Sequence, residues 1–217
     1  MNIVAQEGPI VFIVEDDDEL RMSLDSLFRS VGLTTSMFGN AREFLDARKP
    51  DVTGCLVLDV RLPGQSGLDF HDQLMKAGAS LPVVFITGHG DIPMTVRAMK
   101  AGAVDFLPKP FRDQDMLDAV AAALAIDRNR RQEEAELRGL RKRYTELSLR
   151  ERQVMSLVTT GLMNKQVAGK LLLSEVTVKI HRGHAMRKMG AKNLADLIKM
   201  AELLELHRDL EEPFVRS

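Results

Sequence analysis

Five short apolar segments alternate with helical patterns through the first half of the chain, and each ends in polar or turn-forming residues. Apolar runs of this length, bounded by such residues, are typical of strands buried on both faces of a parallel sheet. The alternation predicts a doubly wound, five-stranded parallel sheet with helices on both faces and the strand order 2-1-3-4-5. The segments are residues 10–14, 33–38, 55–59, 82–86 and 104–107, of which the second is the most polar and is expected near a sheet edge.

The third segment ends in a charge. It is apolar from Cys55 to Leu58, its last residue is Asp59, and a Pro63-Gly64 turn follows. The Asp59 carboxylate is therefore expected at the carboxyl edge of the sheet, where open α/β sheets bind ligands. A buried charge needs a partner there. The alternative is that Asp59 only caps the next loop.

In the predicted order, the first and third strands are neighbours, so Glu15 and Asp16 should meet Asp59. Thr87 and Lys109 follow the fourth and fifth strands at the same edge. Oxygen ligands without His or Cys favour a hard cation such as Mg²⁺, and a lysine with a hydroxyl suits a phosphoryl group. Together these residues predict phosphoryl transfer to Asp59. Taken singly, Lys109 has the alternative of a turn residue, and Glu15 that of an acid favoured at a helix start.

Charge is unevenly distributed, although the whole chain has a net charge of −1. Residues 10–112 carry 11 Lys and Arg against 14 Asp and Glu, whereas residues 148–207 carry 10 against 5. A basic second half indicates contact with nucleic acid or an acidic surface. The single Cys55 excludes an internal disulfide and, with no signal peptide or long apolar run, favours a cytoplasmic protein without membrane contact.

A helix closing the sheet continues from Asp113 without a breaker to Arg143. Its distal part has two open interpretations. Residues spaced by three and four along one stripe could form a coiled-coil seam, or the segment could be a solvated spacer helix. The stripe consists of Leu137, Leu140, Tyr144 and Leu147.

A compact helical segment follows. A capping box at Ser148 and Glu151 starts its first helix, and Ser174 is a suitable N-cap for the third. The second and third helices form a helix-turn-helix pattern, whose last helix is expected to insert into a DNA major groove. The alternative is an ordinary three- or four-helix bundle with a basic solvent face. We expect the outward residues of the third helix to be Lys179, His181, Arg182, His184, Arg187 and Lys188, and its inward ones Val176, Ile180 or Val178, Met186 and Met189.

The acidic constellation resembles the receiver domain of two-component response regulators. The motifs are Glu15-Asp16-Asp17, the Asp59 strand with residues 61–64, Thr87-Gly88-His89-Gly90, and residues 106–110. The resemblance implies that a partner sensor histidine kinase phosphorylates Asp59. It also implies that Glu15, Asp16, Asp59 and the Arg61 backbone carbonyl hold Mg²⁺, and that Thr87 and Phe106 form a switch pair. Glu15 stands where many relatives have Asp, so we expect it to act through water.

The segment from Leu147 to Leu206 resembles the LuxR/FixJ-type (NarL-type) DNA-binding domain, an all-α four-helix fold. The matching residues include Ser148, Glu151, residues 161–168 and residues 177–189. The resemblance implies a helix-turn-helix over residues 164–183 that contacts DNA through Asn164, Lys165, Thr177, Lys179, His181, Arg182 and Lys188. The whole chain resembles the FixJ-like regulators of the StyR subgroup, which control aromatic-compound catabolism.

These observations predict a receiver domain at residues 9–125, a linker helix at 126–146 and a LuxR-type domain at 147–207. The expected function is that of a transcription factor, not an enzyme, in which phosphorylation of Asp59 promotes homodimerisation and binding to double-stranded promoter DNA. RNA polymerase is a candidate further partner.

Two other functions are compatible with parts of the sequence. One is a Mg²⁺-dependent phosphatase with Asp59 as nucleophile, although such enzymes use a second Asp two residues on, where this chain has Arg61. The other is an adaptor whose helical end binds an acidic protein; a salt-insensitive affinity for DNA would indicate it.

Overall fold

The computed structural model describes residues 8–88 and 92–206, which divide into two compact units between Arg131 and Gln132. The His89-Gly90 part of the receiver motif and residue 207, the last of the predicted third domain, lie outside the described residues.

The first unit contains a five-stranded parallel sheet with the order β2-β1-β3-β6-β7. Two short strands, β4 and β5, form a separate antiparallel hairpin between β3 and the next helix. Counting only the strands of the main sheet, the order is 2-1-3-4-5, so the predicted fold class is confirmed. The strands are β1 (Ile10–Val14), β2 (Thr34–Phe38), β3 (Gly54–Asp59), β4 (Arg61–Leu62), β5 (Gln65–Ser66), β6 (Val83–Thr87) and β7 (Asp105–Pro108).

Both faces of the sheet are covered, which explains the uninterrupted apolar runs. Along β1, Phe12 and Val14 pack into one cluster while Val11 and Ile13 pack into the other. Every residue of β3 is buried. The more polar β2 is an edge strand, as expected from its three hydroxyl residues.

The helices of the first unit begin at local caps. The Asp17 side chain accepts the backbone N–H groups of Glu19 and Leu20 at the start of α1, and Ser66 caps α3 in the same way. Leu24 and Phe28 are the buried apolar residues of α1. The helices are α1 (Asp18–Ser30), α2 (Ala41–Asp46), α3 (Gly67–Lys76), α4 (Ile92–Lys100) and α5 (Asp113–Thr145).

The long α5 contributes to both units. Near its middle, Asp127 is fully buried and accepts hydrogen bonds from Gly54 N–H at 2.9 Å and Arg131 Nε at 2.7 Å. Arg130 also pairs with it. Burial opposes ionisation of Asp127, but the hydrogen bonds from Arg130, Gly54 and Arg131 outweigh it and hold the carboxyl pKa below its usual value. This network ties α5 to the amino end of β3.

The distal end of the stripe packs within the second unit, whereas residues 132–136 of α5 are exposed. Leu140 and Leu147 are buried in the core of the second unit, and Tyr144 packs against them. Spacings of three and four residues are common to every apolar helix face, so they do not indicate whether the partner surface is a second helix or the core of a neighbouring domain.

The second unit adds four helices: α6 (Leu149–Thr159), α7 (Asn164–Leu171), α8 (Glu175–Met189) and α9 (Leu194–Leu203). Ser148 and Glu151 form the predicted capping box of α6. Val178, Ala185 and Met189 are the fully buried residues of α8. Of the alternatives Ile180 and Val178, Val178 packs inward and Ile180 is 51% exposed. The expectation that Val176 packs inward is wrong, since it is 69% exposed.

We expect Asp127→Ala to lower the free energy of unfolding of the first unit by about 3–5 kcal/mol, because it leaves buried donors unpaired. Asp118→Ala, an exposed change on the same helix, should alter it by less than about 0.5 kcal/mol. Urea unfolding followed by circular dichroism measures both. Equal stability of the two variants would contradict this role.

Candidate functional site

An acidic cluster lies at the carboxyl ends of β1 and β3. Glu15 and Asp16 directly follow β1, and Asp59 is the last residue of β3. The two strands pair in parallel with Val14 opposite Leu58, which brings their ends to one edge. One carboxylate oxygen from each of the three residues lies within 4.8 Å of the others. The structure therefore brings together the three carboxylates that the sequence predicts to meet.

Lys109, just after β7, bridges two of these carboxylates. Its Nζ donates to Glu15 Oε2 at 2.7 Å and to Asp59 Oδ2 at 2.6 Å. The other Asp59 oxygen, Oδ1, accepts the Arg61 backbone N–H at 2.9 Å. Glu15 and Asp59 are buried, whereas Asp16 is exposed. The cluster thus joins a buried ion-paired core to a solvent-facing acid.

The pKa of Glu15 is raised to about 7, first because burial disfavours its charge and then because Asp59 lies nearby; the hydrogen bond from Lys109 opposes the rise. Burial also works against the charge on Lys109, but hydrogen bonds to Asp59 and Glu15 outweigh it and raise the pKa of the ammonium group. The cluster therefore carries more negative charge than one lysine neutralises. An oxygen donor set with this charge fits Mg²⁺.

The other predicted residues lie on β6 and β7. Thr87, the last residue of β6, is fully buried. Phe106 in β7 lies opposite Phe85, with ring centroids 6.5 Å apart, and both rings are buried. The switch roles of Thr87 and Phe106, and the Arg61 carbonyl as a metal ligand, stay predictions.

Two supporting residues were missed from the sequence. Gly67, the first residue of α3, donates its N–H to Val60 O at 2.8 Å, and a Cβ there would lie 2.1 Å from the Asp59 carbonyl oxygen. Only glycine allows the two backbones to come this close. The one feature of the sequence that points to this contact is the position of Gly67 directly after the N-cap serine. Arg21 Nη1 donates to the Glu15 carbonyl at 2.7 Å and so holds the end of β1.

The second unit presents a helix-turn-helix. The turn after α7 contains Leu172 in the left-handed region with φ 54°, and Ser174 caps α8 by accepting the Thr177 N–H at 3.1 Å. One face of α8 is exposed at spacings of three and four residues. That face consists of Val176, Lys179, Ile180, Gly183 and Arg187. It combines apolar groups with two cations.

The predicted DNA contacts fall into three groups. Lys165 and Lys179 are exposed. Four others, Asn164, Thr177, His181 and Arg182, are half-buried, and Arg182 Nη1 donates to Asn164 Oδ1 at 3.2 Å. Lys188 is also exposed, but its Nζ is engaged within the unit, where it donates to Glu151 Oε2 at 2.7 Å.

Glu151 links the caps and helices of the second unit. It is buried, accepts the Ser148 N–H at 2.8 Å, and lies 3.6 Å from His184 Nδ1. Burial alone would raise its pKa, but the hydrogen bonds from Lys188 and Ser148 outweigh burial and lower it. Glu151 therefore fixes α8 against the start of α6.

Comparison with known protein families identifies both units. Residues 11–121 match the response regulator receiver domain, and residues 145–201 match the bacterial regulatory proteins of the luxR family. The chain belongs to the two-component response regulators with a LuxR-type DNA-binding domain. It is accordingly a transcription regulator. A receiver domain implies a histidine kinase partner, and receiver domains typically use Mg²⁺ at an acidic pocket such as this one.

Individual proteins are similar to this chain over nearly its whole length. Nodulation protein W of Bradyrhizobium diazoefficiens is 62% identical over 200 residues, covering 92% of this chain and 88% of its own. Response regulator protein TodT of Pseudomonas putida is 44% identical, covering 93% and 89%. The solved structure of response regulator StyR has a TM-score of 0.80 at 48% identity, covering 90% and 98%.

Within the part of this response regulator that the structure describes, no helix has both the length and the apolar character needed to cross a membrane.

The raised pKa of Glu15 predicts how stability changes with pH in metal-free buffer. The folded chain holds this proton more tightly than the unfolded chain, whose Glu pKa is 4.5. The associated stability is therefore complete below pH 4.5 and is lost as pH rises to about 7, by about 3 kcal/mol at most.

Glu15→Gln should abolish that part of the pH dependence, whereas the exposed change Glu19→Gln should keep it. Urea unfolding at pH 4.5 and pH 7.5 in EDTA measures the difference. A wild-type pH dependence in Glu15→Gln would contradict the assignment.

Proposed function

We propose that this response regulator is switched by phosphorylation of Asp59 and that phosphorylation promotes homodimerisation and binding to promoter DNA. The observation that carries the proposal is the placement of Asp59: a buried strand end, with Lys109 Nζ at 2.6 Å and the carboxylates of Glu15 and Asp16 beside it. Such a cluster neutralises phosphoryl oxygens while a carboxylate oxygen attacks phosphorus.

In this proposal Glu15, Asp16, Asp59 and the Arg61 carbonyl hold Mg²⁺, which when bound neutralises phosphoryl oxygens. Asp59 uses Oδ2 as nucleophile, because Oδ1 accepts the Arg61 N–H. Lys109 leaves Oδ2 and pairs with the incoming phosphoryl group instead. Its distance of 2.6 Å from Oδ2 places the cation within reach of that group without any movement of β7.

The phosphoryl donor is a phosphohistidine of the partner sensor histidine kinase. The bond between phosphorus and Asp59 Oδ2 forms as the phosphorus–nitrogen bond breaks, and the imidazole takes the electron pair and then a proton. The product is an acyl phosphate with more negative charge than the carboxylate and with additional acceptor oxygens.

The added charge is detected by Thr87 and Phe106. The Thr87 hydroxyl turns to the phosphoryl group, and Phe106 follows into the space it leaves. This shifts the surface formed by α4, β7 and α5, which includes the exposed side chains of Val96 and Met99. Two receiver units pair through that surface, which comprises residues 95–100 and 111–117.

The LuxR-type unit binds double-stranded DNA through the exposed face of α8. Lys179 and Arg187 contact phosphates or base edges, and Ile180 and Val176 contact apolar groups such as thymine methyls. Lys165, at the start of α7, adds a phosphate contact. The helix α9 pairs two such units on a palindromic site, and RNA polymerase is the further partner of the bound dimer.

Phosphorylation dependence has a direct test. Acetyl phosphate with Mg²⁺ should raise the affinity for promoter DNA in a gel-shift experiment, and Asp59→Asn should abolish the rise. Asp46→Asn, an exposed carboxylate on α2, is the matched control and should keep it. Light scattering with beryllofluoride should show dimers only when Asp59 is intact. An undiminished response in Asp59→Asn would refute the proposal.

Substitutions of the two lysines of α8 should have different effects, one on DNA binding and the other on stability. Lys179→Gln should weaken DNA binding and reduce the salt dependence by about one phosphate contact, with stability changed by less than about 0.5 kcal/mol. Lys188→Gln should lower the free energy of unfolding by about 1–3 kcal/mol, because Glu151 loses its charged partner.

Gel shifts at several salt concentrations and thermal unfolding measure the two effects. If Lys188→Gln left stability unchanged but reduced the salt dependence, Lys188 would be a DNA contact as the resemblance implies.

A further inference from the structure

A cavity of about 220 Å³ lies at the amino-terminal rim of the sheet, away from the Asp59 edge. Its apolar lining includes Phe12, Phe44, Val52, Leu74 and Leu81. The rings of Phe12 and Phe44 meet edge to face with centroids 5.8 Å apart, which gives the cavity a rigid aromatic wall. A cavity of about 150 Å³ accepts benzene in another protein, so this volume admits one ring with a short substituent.

Three cations border the cavity, namely Lys49, Arg130 and Arg131. Arg131 Nη1 pairs with Asp51 Oδ1 at 2.5 Å, and both arginines pair with Asp127. The three cations face two carboxylates, so the rim keeps a positive excess. A cationic ligand would be repelled there. A neutral ligand would form no ion pair with the excess positive charge, whereas an anionic ligand would.

Lys49 is the cation whose charge the protein does not neutralise. Its Nζ donates to backbone carbonyls, including Ala47 O at 3.3 Å, and lies 4.0 Å from the centre of the Phe44 ring. No carboxylate in the described ranges 8–88 and 92–206 lies within ion-pair distance of it. Burial lowers its pKa, and an anion bound beside it would offset that cost.

We propose that this cavity binds a small amphipathic carboxylate, with one apolar ring against Phe12 and Phe44 and its carboxylate on Lys49. The apolar part of the lining disfavours sugars and other polyols, whose hydroxyls would lose hydrogen bonds to water against it. Neither the phosphoacceptor cluster nor the α8 face takes part, so the proposal is independent of the function proposed above.

The site lies beside the Asp127 network. Arg130 and Arg131 border the cavity and also hold Asp127, which accepts the Gly54 N–H at the amino end of β3. The proposed site therefore lies next to the residues that connect α5 to the strand carrying Asp59 at its other end.

The test uses the full chain and three probes in titration calorimetry. Benzoate has the ring and the charge, benzyl alcohol has only the ring, and acetate has only the charge. Benzoate should bind saturably with one site, and each of the other two should bind at least about tenfold more weakly, since each lacks one of the two contacts.

Variants locate the site. Lys49→Gln should weaken benzoate binding about tenfold, because a charged hydrogen bond is lost, and Lys49→Arg should restore most of it. Ala79→Leu, which fills the cavity from its wall, should abolish binding independently of charge. Lys76→Gln, an exposed lysine on α3 outside the lining, should bind as wild type. Thermal unfolding confirms that each variant is folded.

Three results would overturn the proposal: no saturable benzoate binding, equal affinity for benzoate and benzyl alcohol, or wild-type binding in folded Lys49→Gln and Ala79→Leu.

Discussion

Repulsion among the carboxylates of Glu15, Asp16 and Asp59 is the constraint on which the first unit depends. Parallel pairing of β1 with β3 forces these groups to within 4.8 Å of one another, at a sheet edge where two of them are buried. Lys109 is the cation within the cluster, hydrogen-bonded to both buried carboxylates. The remaining negative charge gives the site its affinity for a divalent cation, and the lysine is already placed to receive a phosphoryl group.

The fold and this cluster could be predicted from the sequence because each strand is apolar until its last residues, and parallel topology brings those ends together. The fully buried β3 and the more polar edge strand β2 behaved as their composition indicates. The requirement for glycine at position 67 could not be predicted, because it arises from a close backbone contact with Asp59 that no local sequence pattern encodes.

Helix faces were harder to predict. In α8 the apolar residues Val176 and Ile180 fit an inward stripe as well as Val178 does, and the small Ala185 on the true inner face is a weak signal. In the sequence, Lys188 cannot be distinguished from other basic surface residues. Its ion-pair partner, Glu151, lies 37 positions earlier and is revealed only by the structure. At the rim of the cavity described above, Arg131 pairs with Asp51, which lies 80 positions earlier in the sequence. The cationic rim therefore forms only in the folded chain.

The central claim is that this cluster makes Asp59 the phosphoryl acceptor. The most direct measurement treats the chain with acetyl phosphate and Mg²⁺, reduces any acyl phosphate with borohydride, and locates the product by peptide mass spectrometry. The account predicts homoserine at position 59 alone, and none when EDTA removes the metal. Reduction product at another acidic residue, or an equal yield at position 59 in EDTA, would contradict it.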